Sequence, residues 1–273
     1  MNRSKRINIW DIILGILLLL MAVISFYPFA YMFLMSLTQS KDLLLTVDLS
    51  KMNFINYVRV FKNFDFLKYL KNSIIVSGTA CLLNCIISSM AAYGFAKKKF
   101  PGKESIFFIY LATLMIPGQV TLIPVFTIMK KLNMLNTYPI LFLPIINAFG
   151  VFLIRQFMDA VPDELLEAAK IDGCKEVSIF VSIVLPLIRT VLVSLTVFTF
   201  ITSWNDFIWP LVVATDANMK TLTLALSVLK GNYLTNYGLV MAGSTLTFLP
   251  PFILYIFLQK QFVEGIALSG VKG

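Results

Sequence analysis

The chain contains no histidine among its 273 residues. Histidine is the commonest metal ligand in proteins and the usual general base near neutral pH, so its absence argues against zinc sites and Ser-His-Asp catalysis. Of the three cysteines, Cys81 and Cys85 lie four residues apart in an apolar stretch, and Cys174 lies far from both in the sequence. No third and fourth ligand accompanies the pair. We therefore interpret Cys81 and Cys85 as packing residues and expect neither a bound metal nor a cofactor.

Charged residues are also scarce. They make up 14% of the chain, against about 25% in soluble domains, whereas hydrophobic residues make up 58%. This composition predicts a membrane protein. The formal net charge is +9, but Lys and Arg are scattered through short polar breaks and form no continuous stripe. We therefore expect no nucleic-acid partner.

Long apolar runs recur along the sequence, each with the length of about 20 residues that a helix needs to cross a bilayer. The runs are 12–37, 74–96, 105–129, 132–154, 187–213 and 237–258. We predict an all-α polytopic membrane protein with six transmembrane helices. Basic residues precede the first run, which is too long for a cleaved signal peptide and lacks a cleavage site, so we expect a retained signal-anchor helix.

An even number of spans places both termini on the same side of the membrane. Lys and Arg are somewhat more numerous on the N-terminal side, which includes KKKFPGK at 97–103, and this bias predicts that both termini are cytoplasmic. The expected segments are a cytoplasmic N-terminus (1–11), a first transmembrane helix (12–37), an extracytoplasmic loop (38–73), a transmembrane core (74–258) that contains a cytoplasmic loop (159–186), and a cytoplasmic tail (259–273). Within the outer loop, residues 54–70 predict an amphipathic helix that either lies in the membrane interface or packs on the spans.

Prolines are frequent inside the apolar runs. They are Pro28, Pro117, Pro124, Pro139, Pro144, Pro210, Pro250 and Pro251. Proline removes a backbone donor and bends a helix, and kinks at membrane depth are tolerated where neighbours or a water-filled cavity satisfy the freed carbonyls. The pattern favours a bundle around a pathway, with purely structural bending as the alternative.

The segment 161–186 differs from the rest of the chain because acidic residues are concentrated in and beside it. Pro162, Asp163 and Glu164 are typical of a helix N-terminus, LLEAAK continues the helix, and Gly173 is placed to end it. A second helix is expected over KEVSIFVSIV, with Pro186 bending the chain as it re-enters the membrane.

The first of these helices is expected to present apolar side chains with carboxylates beside them. The apolar side chains are Leu165, Leu166, Ala168 and Ala169. This combination suits docking into a groove on a partner protein. A helix resting on the bilayer is the alternative, which the acidic flanks disfavour because anionic lipid repels them.

The same segment resembles the EAA loop of ABC importer permeases of the carbohydrate uptake, maltose-type family. The residues that carry the resemblance are Glu167, Ala168, Ala169, Asp172, Gly173, Phe180, Ile183, Leu185 and Pro186. Similar stretches are IPVFTIMKKLNMLNTYPILFLP, SWNDFIWPL and the C-terminal QFVEGIALSGVKG, so the likeness extends from Tyr27 onward. Cys174, Thr190 and Thr223 depart from the family's usual residues and affect local bending and packing.

The resemblance implies a six-helix permease in the cytoplasmic membrane of a prokaryote. It would pair with a second permease subunit, two ATP-binding cassette subunits and an extracytoplasmic solute-binding protein, and would carry a sugar or oligosaccharide. The implied ATPase-coupling residues are Glu167, Ala168, Ala169, Asp172, Gly173, Leu185 and Pro186. Glu167 would face a basic residue of the ATPase and Gly173 would permit the bend. The implied tail contacts with the ATPase are Lys260, Gln261, Gly270 and Lys272.

The residues themselves indicate a non-catalytic subunit. Gly102 and Lys103 stand together, but Glu104 follows where a Walker A loop needs Ser or Thr, so ATP hydrolysis is expected on separate subunits.

Candidates for the substrate pathway are Asn84, Asn205 and Asp206, which would contact sugar hydroxyls or else join helices. An ion-coupled secondary transporter or channel acting without an ATPase is the alternative function.

Overall fold

The computed structural model describes residues 9–39, 52–232 and 236–270. Over these ranges the chain is helical and contains no β-strand, which confirms the all-α prediction. The α-helices are α1 (Ile9–Ser36), α2 (Ile55–Asn63), α3 (Phe66–Lys97), α4 (Lys103–Ala112), α5 (Gly118–Lys131), α6 (Tyr138–Phe142), α7 (Ala148–Met158), α8 (Asp163–Ile171), α9 (Glu176–Ile179), α10 (Leu185–Leu187), α11 (Arg189–Asn205), α12 (Ile208–Val213), α13 (Leu222–Asn232) and α14 (Tyr237–Gly270). Thr113–Met115, Leu143–Ile145 and Ala217–Met219 are 3₁₀ turns, and Phe180–Val184 is a π-helical turn.

Three helices are long and apolar enough to cross a membrane on their own, namely α1, α3 and α14. Three further pairs meet the same criteria together but are bent. Lys103–Met115 and Gly118–Lys131 meet at 101°, Tyr138–Ile145 and Ala148–Met158 at 47°, and Glu176–Leu187 and Arg189–Asn205 at 77°. If each bent pair is one span, the described residues contain six spans, in the order that the apolar runs predict.

The prolines differ in their effects. Helices α1 and α14 continue through their internal prolines, so these prolines each remove a hydrogen bond without ending the helix. Pro117 instead precedes α5 with extended backbone, at the break of 101°. Pro186 lies in α10, just before the bend of 77° into α11.

The described residues form two compact units, one drawn from residues up to 65 together with 226–248, and the other from 66–225 together with those from 249 onward. In the first unit, α2 packs against the end of α1: Asn56 Nδ2 donates to the carbonyls of Ser36 at 2.9 Å and Thr38 at 2.7 Å. The opposite side of α2 exposes Val58 and Phe61. The helix therefore packs through one face and exposes apolar side chains on the other, and its place in the membrane interface stays a prediction.

In the second unit, α3 packs against α7 and α11, and small and polar side chains line its contact with α11. Ser77 donates to Ser203 at 2.9 Å, and Asn84 Nδ2 donates to Thr199 Oγ1 at 2.9 Å. Cys85 Sγ lies 3.3 Å from the hydroxyl of Thr196. Hydrogen bonds between polar side chains join membrane helices in this way, and the cysteine packs as a small side chain between two helices.

Candidate functional site

Helix α8 lies within the acidic segment 161–186 and begins at Asp163. Pro162 precedes it as the N-cap with extended backbone, one residue earlier than the predicted first-turn position. Asp163 and Glu164 occupy the first turn, where carboxylates stabilise the positive end of the helix dipole. Lys97 Nζ donates to Asp163 Oδ1 at 2.8 Å, and this hydrogen bond lowers the pKa of the Asp163 carboxyl. The carboxylate is therefore ionised and paired at neutral pH.

The end of α8 follows the Schellman pattern. The amide of Gly173 donates to the carbonyl of Lys170 at 3.0 Å, and the amide of Cys174 donates to that of Ala169 at 2.9 Å. These bonds satisfy carbonyls that a helix end leaves without partners. They place Gly173 at φ +78°, a left-handed conformation that glycine adopts without steric cost. The glycine turn predicted at this position is present.

The two faces of α8 differ in exposure. Leu166 is 5% exposed and Ala169 is 7% exposed, and both pack in a core with residues of α3, α7 and α11. We call the opposite side the outward face of α8. It consists of Glu164, Glu167, Ala168 and Ile171, all exposed and grouped by the helical repeat.

The exposure of residues in and after α8 differs from one expectation and reveals two exposed apolar residues that were not predicted. Leu166 and Ala169 were expected to be presented to a partner, but both point inward because their spacing of three residues places them on the core side. Ile171 is instead 86% exposed, and Val177, in α9, is 73% exposed. Helical periodicity carried through to residue 171 would have found Ile171.

Beyond Gly173 the chain continues as α9, the π-helical turn and α10, and then bends by 77° into α11. Leu185 is half-buried and Pro186 is exposed at this bend. π-Helical turns inside helices are frequent at functional sites. The segment between α8 and α11 therefore contains two irregular points, the π-helical turn and the bend.

The end of α3 contacts the acidic segment at two places. Lys97 Nζ donates to the carbonyl of Val161 at 2.6 Å as well as to Asp163. Lys98 Nζ and the Tyr93 hydroxyl both donate to Glu176 Oε1 at the start of α9. The sequence signalled these lysines only as part of the basic cluster that predicts topology.

A cavity of about 760 Å³ lies in the second unit, beside the end of α11 and the start of α5. It is lined by Asn205 and Asp206, two of the candidate pathway residues, together with Gln119, Asn147 and Trp209. The indole of Trp209 is fixed because its Nε1 donates to the carbonyl of Ile140 at 2.7 Å.

Asn84, the third candidate for the pathway, is not among the residues that line this cavity. It is 3% exposed, donates to Thr199 and accepts from Ser88 Oγ at 2.9 Å. These contacts favour the role of joining helices that the sequence left open for this residue.

Residues 85–267 match the family described as the binding-protein-dependent transport system inner membrane component. The chain belongs to this family. The matched residues include the outward face of α8, the residues that line the cavity and most of α14. Both candidate sites of the permease therefore lie in the part of the chain that the family model matches.

Several relatives are similar over their full lengths. The arabinooligosaccharides transport system permease protein AraQ of Halalkalibacterium halodurans is 36% identical over 100% of this chain and 99% of its own. The lactose transport system permease protein LacG of Rhizobium radiobacter is 34% identical over 100% of both chains.

A chain in the crystal structure of a bacterial ABC transporter involved in the import of the acidic polysaccharide alginate has the same fold. It superposes with a TM-score of 0.80 over 96% of this chain and 99% of its own, at 24% identity. The permease fold predicted from the sequence is therefore present.

The C-terminal part of the permease is a continuation of α14, which runs to Gly270. Lys260 is exposed, and Gln261 is half-buried with an Oε1 that has no hydrogen-bond partner among the described residues. Lys272 lies outside the described residues. The role of these four residues as tail contacts stays a prediction.

Proposed function

We propose that the permease imports a sugar or oligosaccharide, as one half of a pathway that a second permease subunit completes. The lining of the cavity carries this proposal. The residues that line it include Gln119, Asn147 and Asn205, two threonines and Trp209. Amides and hydroxyls donate and accept hydrogen bonds, which neutral polyols require, and an aromatic ring packs on the apolar face of a sugar.

Charge supports the same substrate class. Asp206 is an acid, and the residues of 118–209 that line the cavity include neither lysine nor arginine. An anionic substrate would be desolvated here without a positive partner, which is costly. Relatives that match over their full lengths are named for arabinooligosaccharides and for lactose, both built from neutral sugars.

We infer that the outward face of α8 docks on a separate ATP-binding subunit. Glu164 and Glu167 flank Ala168 and the exposed Ile171. An amphipathic helix of this kind binds in a groove on a partner, where its carboxylates would pair with basic side chains. Asp172 and Gly173 fix the end of the helix, and Leu185 and Pro186 join the loop to α11, so ATP-driven movement of the loop would reach the membrane helices.

Docking of α8 on an ATP-binding subunit implies an orientation of the permease in the membrane. The acidic segment and both termini would face the cytoplasm, where the ATPase subunits are, and a solute-binding protein would deliver sugar from the opposite side. The tail from Lys260 onward would provide a second ATPase contact.

Reconstitution tests the proposal. The permease would be purified with the second permease, the ATPase subunits and the binding protein, and uptake of arabinotriose and lactose into proteoliposomes would be measured with ATP hydrolysis. We expect uptake to require ATP, and Glu167→Ala to lower uptake and binding-protein-stimulated hydrolysis about tenfold, as the loss of a central interface contact does. A chain ending at residue 259 should retain less ATPase on purification.

Asp159→Ala is the matched control, since Asp159 is an exposed acid next to the segment but outside the outward face. It should leave uptake unchanged. Full stimulation of hydrolysis in the Glu167 variant would refute the docking role, and sugar uptake driven by an ion gradient without ATP would refute the importer.

A further inference from the structure

Two consecutive lysines lie at the end of α3 and contact different parts of the acidic segment: Lys97 is the last residue of α3, and Lys98 follows it. The side chain of Lys97 is 6% exposed, and its ammonium contacts the Val161 carbonyl and Asp163 at the start of α8. A buried ammonium requires such partners because the loss of its hydration is costly. Lys97 therefore fixes the start of α8 to the end of α3.

Lys98 reaches the start of α9. Its ammonium pairs with Glu176 and lies 5.0 Å from the centre of the Tyr93 ring. Tyr93 donates to the same carboxylate, and its ring packs on Phe180 with centroids 5.2 Å apart. Lys97 is the last helical residue and Lys98 the first beyond the helix, and the two neighbouring lysines contact the starts of α8 and α9 respectively.

The covalent route from the loop to α11 is less direct. It passes through the π-helical turn Phe180–Val184 and then through the bend of 77°. Both interrupt the regular hydrogen-bond pattern of an α-helix. Glu176 lies before both of them, so its contact with α3 bypasses the irregular part of the segment.

We infer that Lys97 and Lys98 transmit movement of the acidic segment, which contains α8 and α9, to α3. One displacement of this segment would then move two membrane helices. Helix α11 follows through the chain itself, and α3 follows through the polar contacts of Lys97 with α8 and of Lys98 and Tyr93 with α9. The inference rests on the proposed role of the loop in receiving force from an ATPase. Lys97 and Lys98 are positioning residues in this scheme, since neither contacts the substrate.

Charge reversal tests the inference in the reconstituted complex. Lys98→Glu and Glu176→Lys would each be compared with the double reversal, and the measured quantity is arabinotriose or lactose transported per ATP hydrolysed. Partly exposed ion pairs contribute little to stability, so we expect folding and subunit assembly to be unchanged. Each single reversal should lower the transport ratio about threefold, in line with the coupling of such pairs, and the double reversal should restore it.

Lys99→Glu is the matched control, because Lys99 is the next, exposed lysine and the change in charge is the same. It should leave the ratio unchanged. Single reversals with the wild-type ratio, or a double reversal that stays impaired, would overturn the inference. If the wild-type complex hydrolyses ATP without moving either sugar, the substrate assignment fails instead. Binding-protein-stimulated hydrolysis then becomes the readout, and the same pattern of loss and rescue is required.

Discussion

At the scale of single residues, Gly173 combines a left-handed backbone conformation, which strains any residue with a Cβ, with open surroundings. Its φ is +78°, and a Cβ added there would meet no atom within 4 Å. Substitution therefore costs backbone strain of about 1–2 kcal/mol and produces no clash. Asn tolerates this conformation, and Asn133 and Asn136 adopt φ 56° and 57° in the same chain.

We predict a graded loss of coupling at this position. Gly173→Asn should keep most of the binding-protein-stimulated ATP hydrolysis, Gly173→Ala should keep less, and Gly173→Val least, because a β-branched residue is the least compatible with positive φ. Gly94→Ala, which adds a Cβ in equally open space within regular helix, should have no effect. Equal activity for the Asn and Val variants would contradict a backbone origin.

The sequence predicts residues with a local structural role, such as Gly173, better than it predicts contacts between residues that are distant in the chain. Gly173 was predictable because glycine at a helix C-terminus has a local meaning. The contacts of Lys97 with Asp163 and of Lys98 with Glu176 join residues far apart in the chain, 66 and 78 positions respectively. No local pattern encodes them, since a basic cluster at a helix end equally serves membrane topology.

At the scale of helices, the apolar runs predicted the order of the candidate spans but not where the helices break. The run 105–129 appears as α4 and α5 at 101°, and the run 187–213 appears as the end of α10, α11 and α12. Hydropathy reports the depth at which a segment lies, whereas a bend depends on which neighbours satisfy the freed backbone groups.

The packing of α7 on α3 depends on Gly150. A Cβ at this position would lie 2.4 Å from Ser88 Oγ and 2.9 Å from Asn84 Oδ1, so the helices approach closely only because the side chain is absent. We predict that Gly150→Ala destabilises the permease by about 1–3 kcal/mol, as overpacking does. Thermal unfolding in detergent measures the effect.

Two further variants make this test specific. Ser88→Ala removes the hydroxyl that would clash and should recover part of the loss when combined with Gly150→Ala. Gly78→Ala in α3 places its Cβ in open space and should be neutral or slightly stabilising, because alanine favours helix over glycine. An unchanged melting temperature for Gly150→Ala would show that α7 shifts at no cost.

At the scale of the whole molecule, much of the surface of the described residues is apolar. Large apolar side chains are exposed along α1, α4 and α5, as expected of helices that face lipid or a partner permease. The acidic segment around α8 and the cavity beside Asp206 are two distinct sites. This separation suits a subunit that receives force at one site and contacts solute at the other.

Asp206 distinguishes an ATP-driven importer from an ion-coupled carrier, because an intramembrane carboxylate is the group that ion coupling would require. We predict that Asp206→Asn keeps ATP-driven uptake and its insensitivity to ionophores, while apparent affinity for sugar falls about tenfold with the loss of a charged acceptor. Initial rates in proteoliposomes across sugar concentrations measure both effects. Asp216→Asn, outside the cavity and engaged in capping Asn218, should leave affinity unchanged. Complete loss of uptake in the Asp206 variant, with gradient-driven uptake by the unmodified protein, would establish the ion-coupled carrier instead.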